Sequence, residues 1–575
     1  MHLLRSLTTY DNRTLATGVL SGVYAWVCLL ATAQAPSAPA VLLLAAFFFF
    51  GYRLALSAPF KKWAACCFSL TGFIWFCLLG QLALSGTLPF GRGFFLAWLF
   101  VTVLGTPILY GYIFQLSKVC PSGSAPVEKP FKLWLCYTGI LLLFWFPVFL
   151  CWGPVRLDVD SVGLLRQIFE GGLNDAHPIW YTLLLGLVLK PFAMLGQMEL
   201  GAYCMGLLQM TAIAGILAYS LVWMRQKQTP NWLILLSIGL FCSTTMYAFH
   251  SLVLWKDPLF NGTLLAYSLC LFDIAQTKGA LLNHRSGQVR ICLLTLAVCM
   301  LRGNGWLICV VGTVGILLFH GVRKKAALTL LPLLLVIKLV TGPVYDGLGL
   351  SSPLTAEAWA IPLQQLGFVA SNSPEAFTPA QQEQLSRVIP LEELAACYSP
   401  SSVDPIKRSP GFQLEYFGTG QGKRDLIGVW LELMPQNLGS YTKAWLMETA
   451  LYTNPRFSTQ SYSFPYEDSN GAYGIYSKDI VGYFTGSHWL RDELEARAQF
   501  FPPALLAYTV LALCILMGLK GQPHRILAFV PALLVWVGMV LGAPSYAEIR
   551  YMLIFAYGIP AFVWMAFAPN PSKEY

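Results

Sequence analysis

The stretch RLDVDSVGLLRQIFEGGLNDAHPIWY, residues 156–181, decides how the rest of the chain is read. It is polar, carries Asp158, Asp160 and Asp175, and lies between the apolar runs FKLWLCYTGILLLFWFPVFLCW and IWYTLLLGLVLKPFAML. A carboxylate cluster held against a membrane is costly unless it is wet, paired or working. Val162, Leu165, Ile168 and Phe169 fall at helical spacing, and Gly171-Gly172 supply a stop. The spacing predicts a short amphipathic helix lying on a membrane surface and fixing the height of Asp160. His177-Pro178 suits the first turn of the helix that follows.

Working outward, the chain has 575 residues, of which 56% are hydrophobic and only 11% charged, against about 25% charged in a soluble domain. Apolar runs of roughly bilayer-spanning length recur from end to end, which predicts an all-α polytopic membrane protein with about 12–14 transmembrane helices. The alternating segments of a β-barrel are absent from the pattern. The net charge of +9 is not a nucleic-acid signal, because Lys and Arg sit in short clusters between apolar runs, where they read as orientation signals. Cys66, Cys67, Cys270 and Cys299 lie inside apolar runs as small hydrophobes. No cysteine spacing suggests zinc, and the N-terminus lacks the pattern of a cleavable signal peptide.

The organisation reads as four parts: N-terminal helices over 1–131, a transmembrane core over 132–341 with a first external loop at 152–177, an external α-rich subdomain over 342–500, and C-terminal helices over 501–575. The cations at Arg5, Lys61, Lys62, Lys118, Lys129 and Lys132 place the N-terminus and the 59–62 and 115–131 loops in the cytoplasm. Residues 178–224 conflict with this count: two full spans would return the chain to the outside, whereas Arg225 and Lys227 favour the inside. One of the two runs is therefore expected to cross only partly. No internal repeat is visible, so an inverted-repeat transporter is not supported.

On this topology five polar clusters meet at the outer face: Asp158/Asp160, Asp175–His177, Lys256-Asp257, Arg302-Gly303-Asn304-Gly305 and Glu548-Ile549-Arg550-Tyr551. Arg302 inside an apolar stretch demands an anion or a polar pocket. Carboxylates can act as general base or metal ligand, and cations can hold a phosphate.

These residues resemble the GT-C superfamily of polyprenyl-phosphate-sugar glycosyltransferases, which includes protein mannosyltransferases and aminoarabinose transferases. The likeness lies in the acidic first loop, the juxtamembrane helix and the His-Pro entry to the next span. LWKDPLF (254–260), LRGNGW (301–306), AIPLQQLG (360–367), DPIK (404–407) and EIRYMLI (548–554) look most like an uncharacterised bacterial multi-span group within it. The resemblance implies a GT-C-like fold in a bacterial cytoplasmic membrane, with the site on the extracytoplasmic face. It implies sugar transfer, with inversion, from a polyprenyl-phosphate-linked donor to an extracytoplasmic acceptor in a cell-envelope glycan, lipid or protein.

Asp160 or Asp158 would be the catalytic base. The substrate-binding set would be His177, Lys256, Asp257, Arg302, Asn304, Gln364, Glu548, Arg550 and Tyr551. A divalent ion, magnesium or manganese, held by Asp160 and His177 is compatible with the resemblance but not required. Two competing readings are a transporter or flippase of a lipid-linked saccharide, and a non-catalytic envelope-assembly scaffold. The first predicts charges along the middle of the spans, whereas here the polar groups concentrate at one face.

Overall fold

The computed structural model describes residues 12–31, 38–59, 62–86, 88–121, 123–125, 128–351, 356–400, 402–456, 471–498, 502–542, 544 and 548–569. Arg5, Lys61, residues 457–470 of the expected polar subdomain and residues 545–547 before Glu548 lie outside them.

The described residues are helical, with a single isolated bridge, Arg156 to Val253, as their extended pairing. Nine of their helices are long and apolar enough to cross a membrane, or ten if a bent pair counts as one span. Four shorter apolar helices, Ala16–Ala25, Ile179–Met194, Gly305–Leu317 and Pro503–Leu519, accompany them. The chain is an all-α, multi-pass membrane protein.

The chain forms two compact units. The first comprises residues 1–120, 359–455 and 508–523. Its helices α1 (Asn12–Ala31), α2 (Ala38–Leu56), α3 (Trp63–Leu84) and α4 (Arg92–Ser117) pack side by side. Gly111 on α4 lies so close to α2 that a Cβ there would sit 2.4 Å from the Gly51 carbonyl oxygen, the kind of close approach that small residues allow between membrane helices. The second unit comprises residues 121–358, 456–507 and 524–575. The stretch 342–500 thus contributes to both units.

In the second unit the order is α5 (Pro130–Trp152), α6 (Val159–Phe169), α7 (Ile179–Met194), α8 (Met198–Gln226), α9 (Asn231–Ser243), α10 (Thr245–Leu252), α11 (Lys256–Gln276), α12 (Arg285–Leu301), α13 (Gly305–Leu317) and α14 (Arg323–Leu339). α11 is apolar around most of its circumference and is correspondingly buried among α8, α12 and the last helix of the chain.

The conflict over residues 178–224 resolves here. The Tyr181 hydroxyl at the start of α7 donates to Gln209 Oε1 on α8 at 2.8 Å, and Leu195 to Gln197 close the turn between the two helices. Both ends of α7 therefore lie along the first part of α8, and Gln209 is still about 24 Å from Arg225 at 1.5 Å rise per residue. At 16 residues α7 is among the shorter apolar helices, whereas α8 is long and apolar enough to cross a membrane, so of the two runs α7 fits the partly spanning one.

The two ends of this unit differ in charge. At one end α11 presents Asp273, paired with Lys227 and with Arg290, each at 2.8 Å, and hydrogen-bonded by Trp223 Nε1 at 3.0 Å. Arg525, buried at the same end, donates to the Ala568 and Pro569 carbonyls at 2.7 and 3.2 Å. Lys278, Arg285 and Arg323 to Lys325 join them there. The opposite end holds the candidate site.

Candidate functional site

The site is assembled by a short backbone pairing. Arg156 N–H donates to the Leu252 carbonyl at 3.0 Å, and Leu254 N–H donates to the Arg156 carbonyl at 3.1 Å. That pairing sets Asp158, at the head of α6, beside Lys256, at the head of α11. Gln209 holds the same segment by donating to the Ser251 and Val253 carbonyls. At Gly206 a Cβ would stand 2.1 Å from the Pro154 carbonyl oxygen, so only a glycine lets α8 approach this closely.

α6 begins and ends as its sequence dictates. Asp158 is the N-cap, its Oδ1 accepting from Ser161 N–H and Ser161 Oγ at 2.9 Å each. Leu164, Leu165 and Ile168 face the core, and Gly171 and Gly172, at φ +92° and +78°, turn the chain away. Asp160, in the first turn, stands free of the capping role.

Three cations and three further acids interlock around it. Arg550 Nη1 lies 2.8 Å from Asp160 Oδ2 and 3.7 Å from Asp158 Oδ2, and its Nε is 3.2 Å from Glu548 Oε2. Lys256 Nζ lies 3.9 Å from Asp160 and 3.7 Å from Asp257. Arg302 Nη1 binds the fully buried Asp257 at 2.6 Å. The aromatic faces complete the frame: Arg550 stacks over Trp255 at 4.4 Å, and Arg302 over Tyr551 at 4.4 Å. Arg550 also donates to the Tyr551 hydroxyl at 3.1 Å.

His177 packs on α6 one turn from Asp160, with Nε2 3.1 Å from where a Gly163 Cβ would stand and Nδ1 buried without a hydrogen-bond partner.

The electrostatics follow from this geometry. Burial works against the Asp160 carboxylate, but Arg550 and Lys256 outweigh it and hold the group below the ordinary aspartate range. Burial, with Lys256 adding to it, lowers His177, so the ring is neutral near pH 7. Glu548 is raised by burial and by the neighbouring Asp158, Asp160 and Asp257, with Arg550 opposing. Asp175, half-buried, is also raised by burial, against a hydrogen bond from Ile179 N–H.

Every cation of the cluster already faces a carboxylate: Arg550 faces Asp160, Asp158 and Glu548, Lys256 faces Asp160 and Asp257, and Arg302 faces Asp257. The cations are therefore paired within the cluster, and an incoming anion must displace a carboxylate to reach Arg550 or Arg302.

Of the residues expected from sequence, Asp158, Asp160, His177, Lys256, Asp257, Arg302, Glu548, Arg550 and Tyr551 come together in this cluster. Asn304 is exposed at the start of α13, two residues from Arg302. Gln364 belongs to the first unit, where its Nε2 donates to the Ser399 carbonyl at 2.9 Å. Among the described residues no group of three or more His, Cys, Asp or Glu is placed to hold a metal ion, so Asp160 and His177 lack a third such ligand.

Sequence reading missed Asn261, Trp255 and Ser161. Asn261 Nδ2 donates to the Asp257 and Arg550 carbonyls at 2.8 and 3.0 Å, and Oδ1 accepts from Ile554 N–H at 2.9 Å. A polar residue one turn beyond Asp257 in an apolar helix was its only signal.

A family described as a family of unknown function, DUF6020, matches residues 170–574, about seven-tenths of the chain. The chain belongs to the DUF6020 family. No curated protein and no solved structure matches it. The DUF6020 match takes in His177, Lys256, Asp257, Arg302, Glu548, Arg550 and Tyr551 and begins just beyond α6, so Asp158 and Asp160 precede it.

Proposed function

We propose that this DUF6020 protein is a membrane glycosyltransferase that moves a sugar from a polyprenyl-phosphate donor to an acceptor hydroxyl, with inversion at C1. The observation that carries this reading is the shared pairing of one partly exposed carboxylate, Asp160, with two cations, Arg550 and Lys256, at one end of the spans. Asp160 is a weak base while both cations hold it. A donor phosphate that draws Arg550 and Lys256 onto its own oxygens removes what depresses Asp160, so the group gains basicity when donor is bound.

Asp160 then takes the acceptor proton while the acceptor oxygen bonds to C1. The bond from C1 to the phosphate oxygen breaks, and the charge growing on polyprenyl phosphate stays with Arg550 and Lys256. Arg302, stacked on Tyr551 and anchored by Asp257, is placed to receive a further phosphate oxygen. No step uses a metal.

Two features support the reading. A mostly apolar groove of about 780 Å³ runs along α6 and α7, lined by Ile168, Leu173, Trp180, Leu183 and Leu187 with Gln167 and Lys190, and offers an isoprenoid chain a seat on the helix that carries Asp160. The basic end around Lys227, Arg285 and Arg323 favours a cytoplasmic location, which leaves the cluster on the extracytoplasmic side.

The test is transfer by the full chain in nanodiscs. Polyprenyl-phosphate hexoses and aminoarabinose serve as donors, with a cell-envelope fraction as acceptor. Asp160→Asn is expected to lower transfer by about 10²–10⁴-fold while polyprenyl phosphate still binds. Full activity in that variant would remove Asp160 from the chemistry. Absence of transfer by the unaltered protein from every donor would sink the reading.

A further inference from the structure

The segment 471–498 carries an exposed aromatic surface that the site does not use. It contains α18 (Ile480–Thr485) and α19 (Trp489–Ala496), where α15 (Ala360–Asn372), α16 (Gly420–Leu433) and α17 (Leu438–Glu448) are the preceding long helices of the first unit. Tyr483 and Phe484 are 82% and 79% exposed, Trp489 is 58% and Tyr476 is 52%. The rings of Tyr483 and Phe484 contact each other at 5.3 Å.

This is not a loose loop. Asp479 caps α18 by accepting from Gly482 N–H at 2.8 Å and pairs with His488 at 2.7 Å, and Gly486, at φ +68°, ends the helix. The surface stays exposed although the backbone under it is fixed.

The height of the segment is set by α5. Lys478 N–H donates to the Gly153 carbonyl at 2.7 Å, Ser477 Oγ donates to the Trp152 carbonyl at 3.1 Å, and the Arg491 guanidinium lies 5.5 Å over Trp152. Trp152 is the last residue of a 23-residue span, about 35 Å long at 1.5 Å per residue, which reaches past the hydrocarbon core to the headgroups. Leu143, Phe144 and Phe146 on that span are exposed where lipid must cover them. The aromatic surface is tied to the end of that span, the level at which Trp and Tyr rings are most at home.

We propose that residues 476–489 are an interfacial anchor whose Tyr476, Tyr483, Phe484 and Trp489 insert into the lipid headgroup layer on the site-bearing side of the membrane. The occupant is lipid and the attraction is aromatic. Around the anchor Arg491 and Arg497 are offset by Asp492, Glu493 and Glu495, so zwitterionic lipid suffices and anionic lipid is not needed.

The anchor is continuous with the site. Ile475 is buried among Leu157, Leu164 and Leu165, Tyr473 packs on Phe169 at 5.6 Å, and its hydroxyl binds Glu170, so the segment braces the helix that carries Asp160. The inference holds whether or not the cluster transfers sugar.

The test places the photo-crosslinking residue p-benzoylphenylalanine at Phe484, and separately at Tyr483, in the full chain reconstituted in phosphatidylcholine nanodiscs. Elution as a monodisperse species confirms folding. Irradiation is expected to add the mass of one phosphatidylcholine to the peptide spanning the probe, at either position and undiminished in 0.5 M salt. A crosslink to a second copy or another protein, absence of any adduct, or an adduct formed only with anionic lipid would each overturn the proposal.

Discussion

At the scale of single residues, the two acids that head α6 divide their work. Asp158 caps the helix through Oδ1, whereas Asp160 faces Arg550 and Lys256. Asp158→Ala should lower thermal stability by about 1 kcal/mol, the usual worth of a helix cap, while transfer falls far less than in Asp160→Asn. Thermal unfolding in nanodiscs and the transfer assay together separate the roles. Asn261 ties the backbones of Asp257, Arg550 and Ile554 together. Asn261→Ala leaves the buried Ile554 N–H without its acceptor and should cost about 1–3 kcal/mol by the same measurement.

Glu448, in the first unit, is 1% exposed, and neither of its carboxyl oxygens accepts a hydrogen bond. Burial pushes it up to about 8 from an ordinary 4.5, with Lys407 pulling the other way. Because the folded value lies above the unfolded one, stability is greatest below the ordinary value, falls as pH rises through this window and levels off above about 8. A shift of that size corresponds to on the order of 5 kcal/mol. Glu448→Gln should flatten the dependence between pH 5 and 8 in thermal melts, and an unchanged slope would assign it to another group.

At the scale of elements, packing decides what α7 does. Its 16 residues are apolar apart from Thr182 and Lys190, and composition alone reads them as a span. The Tyr181–Gln209 hydrogen bond and the tight turn into α8 fold it back along its successor instead. Gly206 is the hinge of this arrangement, since α8 touches the Pro154 carbonyl there. Gly206→Ala should push the helix away from that carbonyl and destabilise the chain by about 1–3 kcal/mol, with faster amide exchange in residues 153–160 than elsewhere in the unit.

At the scale of the whole molecule, the second unit has a basic end and a mixed acid-base end. The charge asymmetry predicts that a tag inserted after Asn283 is cytoplasmic and one inserted after Gly171 is not. Protease protection in sealed vesicles checks both, and the same side for the two tags would overturn the orientation. Nine of the eleven site candidates were legible in sequence as residues brought together, because each stands where an apolar run meets a polar break and a charge at that position has few alternatives. Gln364 was drawn from a short patch in a segment that folds into the other unit, and nothing in its local sequence marks that membership.

The sequence by itself determined that the chain is a helical, multi-span membrane protein, because bilayer-length apolar runs leave the backbone no other solution in lipid. It also determined where α6 starts and stops, since caps and glycines act locally. Only the tertiary structure decided that Arg550, some 390 residues from Asp160 along the chain, closes on that carboxylate, that the cations are already paired, and that α7 folds back along α8. Each of these depends on long-range contacts whose energies are set by distance and burial, which no local window of sequence contains.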